Sequence, residues 1–149
     1  MKKPEDADIS NEHIQARGII IKNNQVLVMF RRKKGREYYT FPGGHMRYYE
    51  QPIDTAIREI REETTIEVKD LKPAYDFVNH IEPKEKQYYF VGKWKSGIPT
   101  LSGEESRAVC EENYYEPMWI DISEIPDLNL FPRAAKEWFL NYSDQIIAN

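Results

Sequence analysis

Two apolar runs, Gly18-Ile19-Ile20-Ile21 and Val26-Leu27-Val28-Met29-Phe30, flank the polar tetrapeptide Lys22-Asn23-Asn24-Gln25. Short apolar runs on either side of an Asn-rich turn predict a β-hairpin over Gln15 to Arg32, and with it the opening of a sheet. The basic run Arg31-Arg32-Lys33-Lys34-Gly35-Arg36 reads as a loop that leads into a short strand, Tyr38-Tyr39-Thr40-Phe41. Pro42-Gly43-Gly44 ends that strand, and the chain is expected to turn sharply there. Between Pro52 and Thr64 the apolar residues Ile53, Ala56, Ile57 and Ile60 recur at i, i+3, i+4 and i+7. That is helical spacing, with Pro52 suited to the first turn.

Further strands are expected around Ala74–Val78, Tyr88–Trp94 and Met118–Ile120, with a turn over Glu82–Lys86 between the first two. Lys95 to Glu112 is rich in Gly, Ser and Glu and reads as a long loop. Pro132 to Ile147 predicts a second helix that offers Ala134, Ala135, Trp138, Phe139 and Tyr142 for packing. Residues 1–12 are polar without periodicity and read as a flexible tail, leaving residues 13–149 as one domain without repeats.

Composition narrows the function. A chain of 149 residues that is 40% apolar and 13% aromatic can bury a single core without disulfides. Its 21 basic and 25 acidic residues give a net charge of -4. That balance argues against a nucleic acid polymer or an anionic membrane as partner, and a polyanionic substrate would need a local basic cluster or a bound cation. Cys110 is the only cysteine, which removes intrachain disulfides and multi-cysteine zinc sites. The start Met1-Lys2-Lys3-Pro4 has no apolar stretch behind it and no run approaches a membrane span, so a cytoplasmic protein is expected.

Glu59, Glu62 and Glu63 lie three and four residues apart on the expected helix, which places them within an arc of about 100°. Like charges so close repel unless something positive compensates. A solvated acidic face neutralised by Arg58 and Arg61 is the bland reading. The context favours a sharper one, because Gly44 and Glu50 precede the helix at set distances. Gly44, five residues, Glu50, seven residues and then Arg58-Glu59-Ile60-Arg61-Glu62-Glu63-Thr64-Thr65-Ile66 closely resembles the signature of the Nudix hydrolases. Only Thr65 departs from it, standing where the family has glycine. The six charged or glycine matches would coincide by chance on the order of once per million positions at this chain's composition. The resemblance extends over most of residues 15–149.

The resemblance implies an α/β fold of the Nudix type, an α/β/α sandwich around a mixed β-sheet. It also implies hydrolysis of a phosphoanhydride bond in a nucleoside triphosphate or other nucleoside diphosphate derivative, a small-molecule nucleotide substrate. The implied cofactor is magnesium, with manganese able to substitute, held by Glu59, Glu62, Glu63 and the backbone carbonyl of Gly43. Glu59 and Glu62 then form the catalytic set together with Arg58, whose guanidinium supports the carboxylates, while Glu50 supports the turn or an outer shell. Such chemistry suits carboxylates, because magnesium takes oxygen ligands and a base must deprotonate the attacking water. The base differs between relatives, and Glu104, Glu105, Glu111 and Glu112 are loop candidates, Glu112 by its spacing from Trp119. Homodimers are frequent in the family.

Arg31 and Arg32 are candidates for the phosphate tail of the substrate. Tyr39 is a candidate for stacking on its base, with cross-strand packing as the competing reading. His13, His45 and His80 show no metal-ligand spacing, and no motif for acyl transfer or dinucleotide oxidation occurs. Thr65 is expected to force a different helix end, since a β-branched residue tolerates positive φ poorly. Tyr49, where relatives often carry glycine, is expected to reshape the loop before Glu50. A non-catalytic nucleotide-binding module and an ADP-ribose or dinucleoside polyphosphate pyrophosphatase are the alternatives.

Overall fold

The computed structural model describes residues 11–80, 83–100 and 113–148. The expected tail (apart from its last two residues), Glu82 and the loop carboxylates Glu104, Glu105, Glu111 and Glu112, with Cys110, lie outside those residues. After a 3-10 turn at Asn11–His13, the strands are β1 (Ile14–Lys22), β2 (Gln25–Lys33), β3 (Arg36–Thr40), β4 (Gly43–His45), β5 (Glu67–Asn79), β6 (Glu85–Ser96), β7 (Asn113–Asp121) and β8 (Leu130–Phe131). Helix α1 (Pro52–Thr64) lies between β4 and β5, and helix α2 (Arg133–Ala148) ends the described chain.

The expected hairpin forms, and Asn23 takes the positive φ, 57°, that its turn needs. Its strands stay paired only at Ile21↔Val26 and Lys22↔Gln25. Beyond that they part and take other partners. β1 pairs in parallel with β6 and antiparallel with β4, while β2 pairs antiparallel with β3 and β7. β8 joins β3 in parallel, so the sheet is mixed. The segment from β3 to β4 crosses the gap where β1 and β2 diverge, and the amide of Gly18 donates to the carbonyl of Pro42 at 2.9 Å.

Alternation along the strands sorts side chains onto two faces. On one, Ile20 and Leu27 pack with Ile60 of α1 and Ile66, and Ala16 packs with Ala56. On the other, Ile19, Val26, Val28, Phe41 and Tyr89 pack under Ala135 and Phe139 of α2. Each of these isoleucines, leucines and phenylalanines is fully buried and contributes roughly 2–3 kcal/mol by leaving water. The result is helix, mixed sheet, helix. No helix among the described residues is long and apolar enough to cross a membrane.

Three expectations change. The run Arg31–Arg36 is not a loop: Arg31, Arg32 and Lys33 extend β2, Arg36 opens β3, and only Lys34-Gly35 turns between them. Gly43 and Gly44 are not the turn either, because hydrogen bonds to β1 draw them into strand β4 and the bend falls before them at Phe41-Pro42. The end of α1 is the third. Thr65 adopts the left-handed cap, φ 64° and ψ 9°, that favours glycine. Its amide still donates to the carbonyl of Arg61 at 2.9 Å, and its hydroxyl donates to the carbonyl of Ile98 at 2.9 Å. A side-chain tether to a distant part of the chain thus offsets the backbone cost.

Thr65→Ala keeps the strain and loses the tether, so it should lower unfolding free energy by about 1 kcal/mol. Thr65→Gly loses the same bond but relieves the strained cap, and should cost less. Urea melts of the two variants check the order; a glycine variant weaker than the alanine one would contradict it.

Candidate functional site

The side chain of Arg58, in the second turn of α1, reaches back over the start of the helix. Its Nε donates to Glu50 at 2.6 Å and its Nη2 to the same carboxylate at 2.9 Å. Nη1 donates to Glu59 at 2.8 Å and to Glu62 at 3.3 Å, and Nη2 also reaches the carbonyl of His45 at 3.2 Å. One planar cation therefore bridges three carboxylates and the end of β4, which only the forked guanidinium can do. Its proton is held more tightly than in a free arginine, chiefly by the bond to Glu50.

Glu50 is buried and takes two more donors, the amide of Arg47 at 3.0 Å and the hydroxyl of Thr55 at 2.8 Å. The Arg58 bond, with these others, outweighs burial and pulls its pKa down to about 2. Glu50 thus locks the loop between His45 and Gln51 onto α1. The cap is closed by the amide of Gln51 donating to Asp54 at 3.2 Å, with Pro52 in the first turn as expected.

Glu63 behaves differently from its neighbours. The buried positions of α1 are Thr55, Ala56, Ile60, Glu63 and Thr64, so Glu63 continues the apolar stripe, whereas Glu59 is partly buried and Glu62 exposed. Ala56, Ile60 and Glu63 stand at i, i+4 and i+7, the spacing of one buried face. Its carboxylate accepts from the amide of Gly43 at 2.9 Å and from Arg31 at 3.3 Å. Burial pushes its pKa up to about 7, against the pull of Arg31 and Arg17. A carboxyl raised in this way costs stability as pH climbs from about 4.5 to 7, because the unfolded chain releases that proton first.

The two glycines leave room for these groups. A Cβ on Gly43 would run into the carbonyl oxygen of Ala16 and lie 2.6 Å from the Cα of Arg17. One on Gly44 would lie 2.6 Å from the carboxylate of Glu59. Gly43 is therefore required by backbone, and Gly44 by an acidic side chain.

Arg31 joins this site, with its Nε donating to Thr40 at 3.0 Å and its guanidinium 4.8 Å from the ring of Tyr115. Arg32 and Tyr39 lie on the opposite face of the sheet. Arg32 pairs with Glu37 at 3.0 Å, and Tyr39 packs on Phe30 with ring centres 5.3 Å apart. The structure thus brings Arg31, Gly43, Arg58, Glu59, Glu62 and Glu63 together and leaves Arg32 and Tyr39 apart from them. Sequence reading missed Arg17, which donates to the carbonyl of Phe41 at 2.7 Å and to Gln15 at 2.6 Å, steadying the entry to Gly43. A charged residue inside an otherwise apolar strand was the signal for it. Thr55 carried none.

The donors here are carboxylate and carbonyl oxygens, the set that suits a hard divalent cation. Among the described residues no three of them converge on one point. Glu59 and Glu62 lean on Arg58 and Glu63 on the Gly43 amide, so a cation would take carboxylates already held nearby by charge, after rotation of their side chains.

A family model described as NUDIX domain matches residues 12–140. No curated protein sequence matches the chain significantly. Among solved structures, the chain resembles a NUDIX hydrolase from Nitrosomonas europaea with a TM-score of 0.70 at 16% identity, covering 89% of each chain. A NUDIX family hydrolase from Clostridium perfringens gives 0.64 at 16% identity over 87% of this chain and 97% of the other. A MutT NUDIX hydrolase from Burkholderia pseudomallei gives 0.59 at 19% identity over 85% and 96%. At these identities the likeness is one of fold.

Glu50 is depressed in the fold, so its contribution is present above about pH 4.5 and is lost as pH falls toward 2. Glu50→Gln should cost about 3 kcal/mol at pH 7 in metal-free buffer, and that cost should shrink toward zero near pH 2. Denaturant melts across this range check it. Gly43→Ala should destabilise by about 2 kcal/mol or more because backbone must move, whereas Gly44→Ala displaces only the end of Glu59 and should melt within about 1 kcal/mol of wild type.

Proposed function

The chain belongs to the NUDIX family of hydrolases, and from that premise we propose that it cleaves a phosphoanhydride bond in a nucleoside triphosphate or other nucleoside diphosphate derivative. The observation that carries the reading is the gathering of Glu50, Glu59 and Glu62 around Arg58, directly beside the backbone of Gly43 and the buried Glu63. The Glu50–Arg58 pair ties the loop to the helix, whereas Glu59 and Glu62 add oxygen donors that the fold does not need for packing.

We assign magnesium to the carbonyl of Gly43 and the carboxylates of Glu59, Glu62 and Glu63, with manganese as a substitute. When bound, a divalent cation there would screen the phosphate charges and lower the pKa of a water molecule. The protein groups do the rest. A carboxylate of the Glu59 and Glu62 pair accepts the proton of the attacking water, and Arg58 holds both in place between turnovers. Arg31 reaches Glu63 from the sheet at 3.3 Å and is the cation best placed to meet a phosphate oxygen when Glu63 releases it. Arg32 and Tyr39, expected to hold the substrate, lie on the far face of the sheet and have no part in this assignment.

Hydrolysis should require added magnesium and stop in excess chelator. Glu62→Gln and Glu63→Gln should each lower turnover by roughly 10²-fold or more. A screen of nucleotides with magnesium, read as phosphate, pyrophosphate and nucleoside monophosphate, identifies the substrate class. Release of pyrophosphate marks a triphosphatase, and a nucleoside monophosphate released together with a nucleoside di- or triphosphate marks a dinucleoside polyphosphate. Tight nucleotide binding without product over hours would sink the enzymatic reading in favour of a binding module.

A further inference from the structure

At the end of β1 far from Gly43, the C-terminal half of α2 and the edge formed by β5 and β6 enclose a cleft of about 980 Å³. Ile21, which lines it, stands four residues beyond Arg17, roughly 13 Å along the strand from the pairing with Gly43. The cleft lies on the α2 face, so the sheet separates it from the glutamates. Its size is that of a small-molecule site.

The rim is basic. Lys69, Lys72 and Lys93 line the cleft with Asp70 as its single acidic lining residue, in a chain whose net charge is -4, while Lys22 borders it with its ammonium turned over the rings of Trp94 and Trp119. Two of these lysines are aimed by a distortion of the edge strand. Lys69 lies opposite Lys93 and Lys72 opposite Val91, so Asp70 and Leu71 together face Gly92 alone. Residues three apart in a regular strand point to opposite faces, and the extra residue returns Lys72 to the face of Lys69. Asp70 takes a φ of 56° to make the bulge, an uncommon conformation for a residue with a side chain. Leu71 meanwhile turns to the other face and packs with the clusters under α1.

The opposite wall is aromatic. Trp138 stacks on Tyr75 at 5.9 Å and on Tyr142 at 5.0 Å, and Tyr142 is 42% exposed. The row of rings therefore ends on a tyrosine that borders the cleft. Lysines on an edge strand also deter the pairing of sheets between molecules. That role does not call for them to be turned over a concave pocket with an aromatic wall.

We propose that this cleft is a second ligand site, separate from the glutamate site, that takes a small phosphorylated molecule bearing a planar ring, of the nucleoside phosphate class. The ammonium groups of Lys69 and Lys72 meet the phosphates, and the ring continues the stack that ends at Tyr142. The assignment does not depend on the proposed hydrolysis, and its test is run where that chemistry is silent.

Isothermal titration of the full chain in excess EDTA, with ADP as the probe, reads the site directly. Inorganic phosphate and a short single-stranded oligonucleotide are the comparisons. ADP should bind at one per chain, more tightly than inorganic phosphate and more weakly as salt rises. Lys69→Glu combined with Lys72→Glu should weaken it about tenfold or more. Tyr142→Ala should weaken it about threefold or more, and Glu59→Gln should leave it unchanged. If the double variant does not melt cooperatively, Lys72→Glu alone and the salt dependence of the wild type carry the test. No ADP binding in EDTA overturns the proposal, as does binding abolished by Glu59→Gln but indifferent to the lysines. Phosphate binding as tight as ADP removes the ring from it, and binding of the oligonucleotide alone replaces the small ligand with a polymer.

Discussion

A guanidinium and three carboxylates crowd together along one side of α1, and the surrounding structure is arranged to make that tolerable. Arg58 and Glu50 are largely withdrawn from water, with side chains 15% and 6% exposed. Burying such a pair is favourable only when every oxygen and N–H finds a partner. The carbonyl of His45, the amide of Arg47 and the hydroxyl of Thr55 supply the missing ones. Through them the loop, the end of β4 and the first turns of the helix become one unit. Arg58 also pairs with Glu59 and Glu62, and Arg47 reaches Glu62 at 3.8 Å, so repulsion along that helix face is reduced while its oxygens remain close enough to be handed to a cation.

That unit sits where it does because the sheet opens. β1 and β2 pair for two residues and then diverge, and the β3–β4 segment threads the space between them. Gly43 lies against the backbone of Ala16 and Arg17 with no room for a Cβ, and its amide turns toward Glu63. Backbone from the sheet and carboxylates from the helix meet there, the two kinds of oxygen the proposed chemistry uses. The opposite face of the sheet carries α2, and with it the lysine-rimmed cleft, so the sheet separates that cleft from the glutamates.

Much of the glutamate site is legible in the amino-acid sequence. Helical periodicity from Ile53 to Ile60 sets the orientation of α1, and the offsets to Glu50 and Arg58 are short enough that local geometry alone brings them together. Glu63 is legible as a member of the acidic group but not as a buried one, since Ile60 and Glu63 share a stripe that only packing against the sheet reveals. The basic run after Phe30 has the polar composition of a loop. Pairing with β3 and β7 nevertheless extends β2 through it, and that extension sends Arg31 toward Glu63 and Arg32 to the other side. At Thr65 the local rule against positive φ fails for a related reason, since the carbonyl of Ile98 that accepts from its hydroxyl is 33 residues away.

By itself the sequence determined the family signature, the span of α1 and the hairpin that starts the sheet, because each rests on contacts between residues within a few positions of one another. Tertiary structure alone decided that Arg31 pairs with Glu63, that Gly43 and Gly44 become strand, and that Lys69 and Lys72 share a face. The physical reason is common to all three. Which way a strand residue points depends on its register and bulges, and those are set by hydrogen bonds to partners distant in the chain.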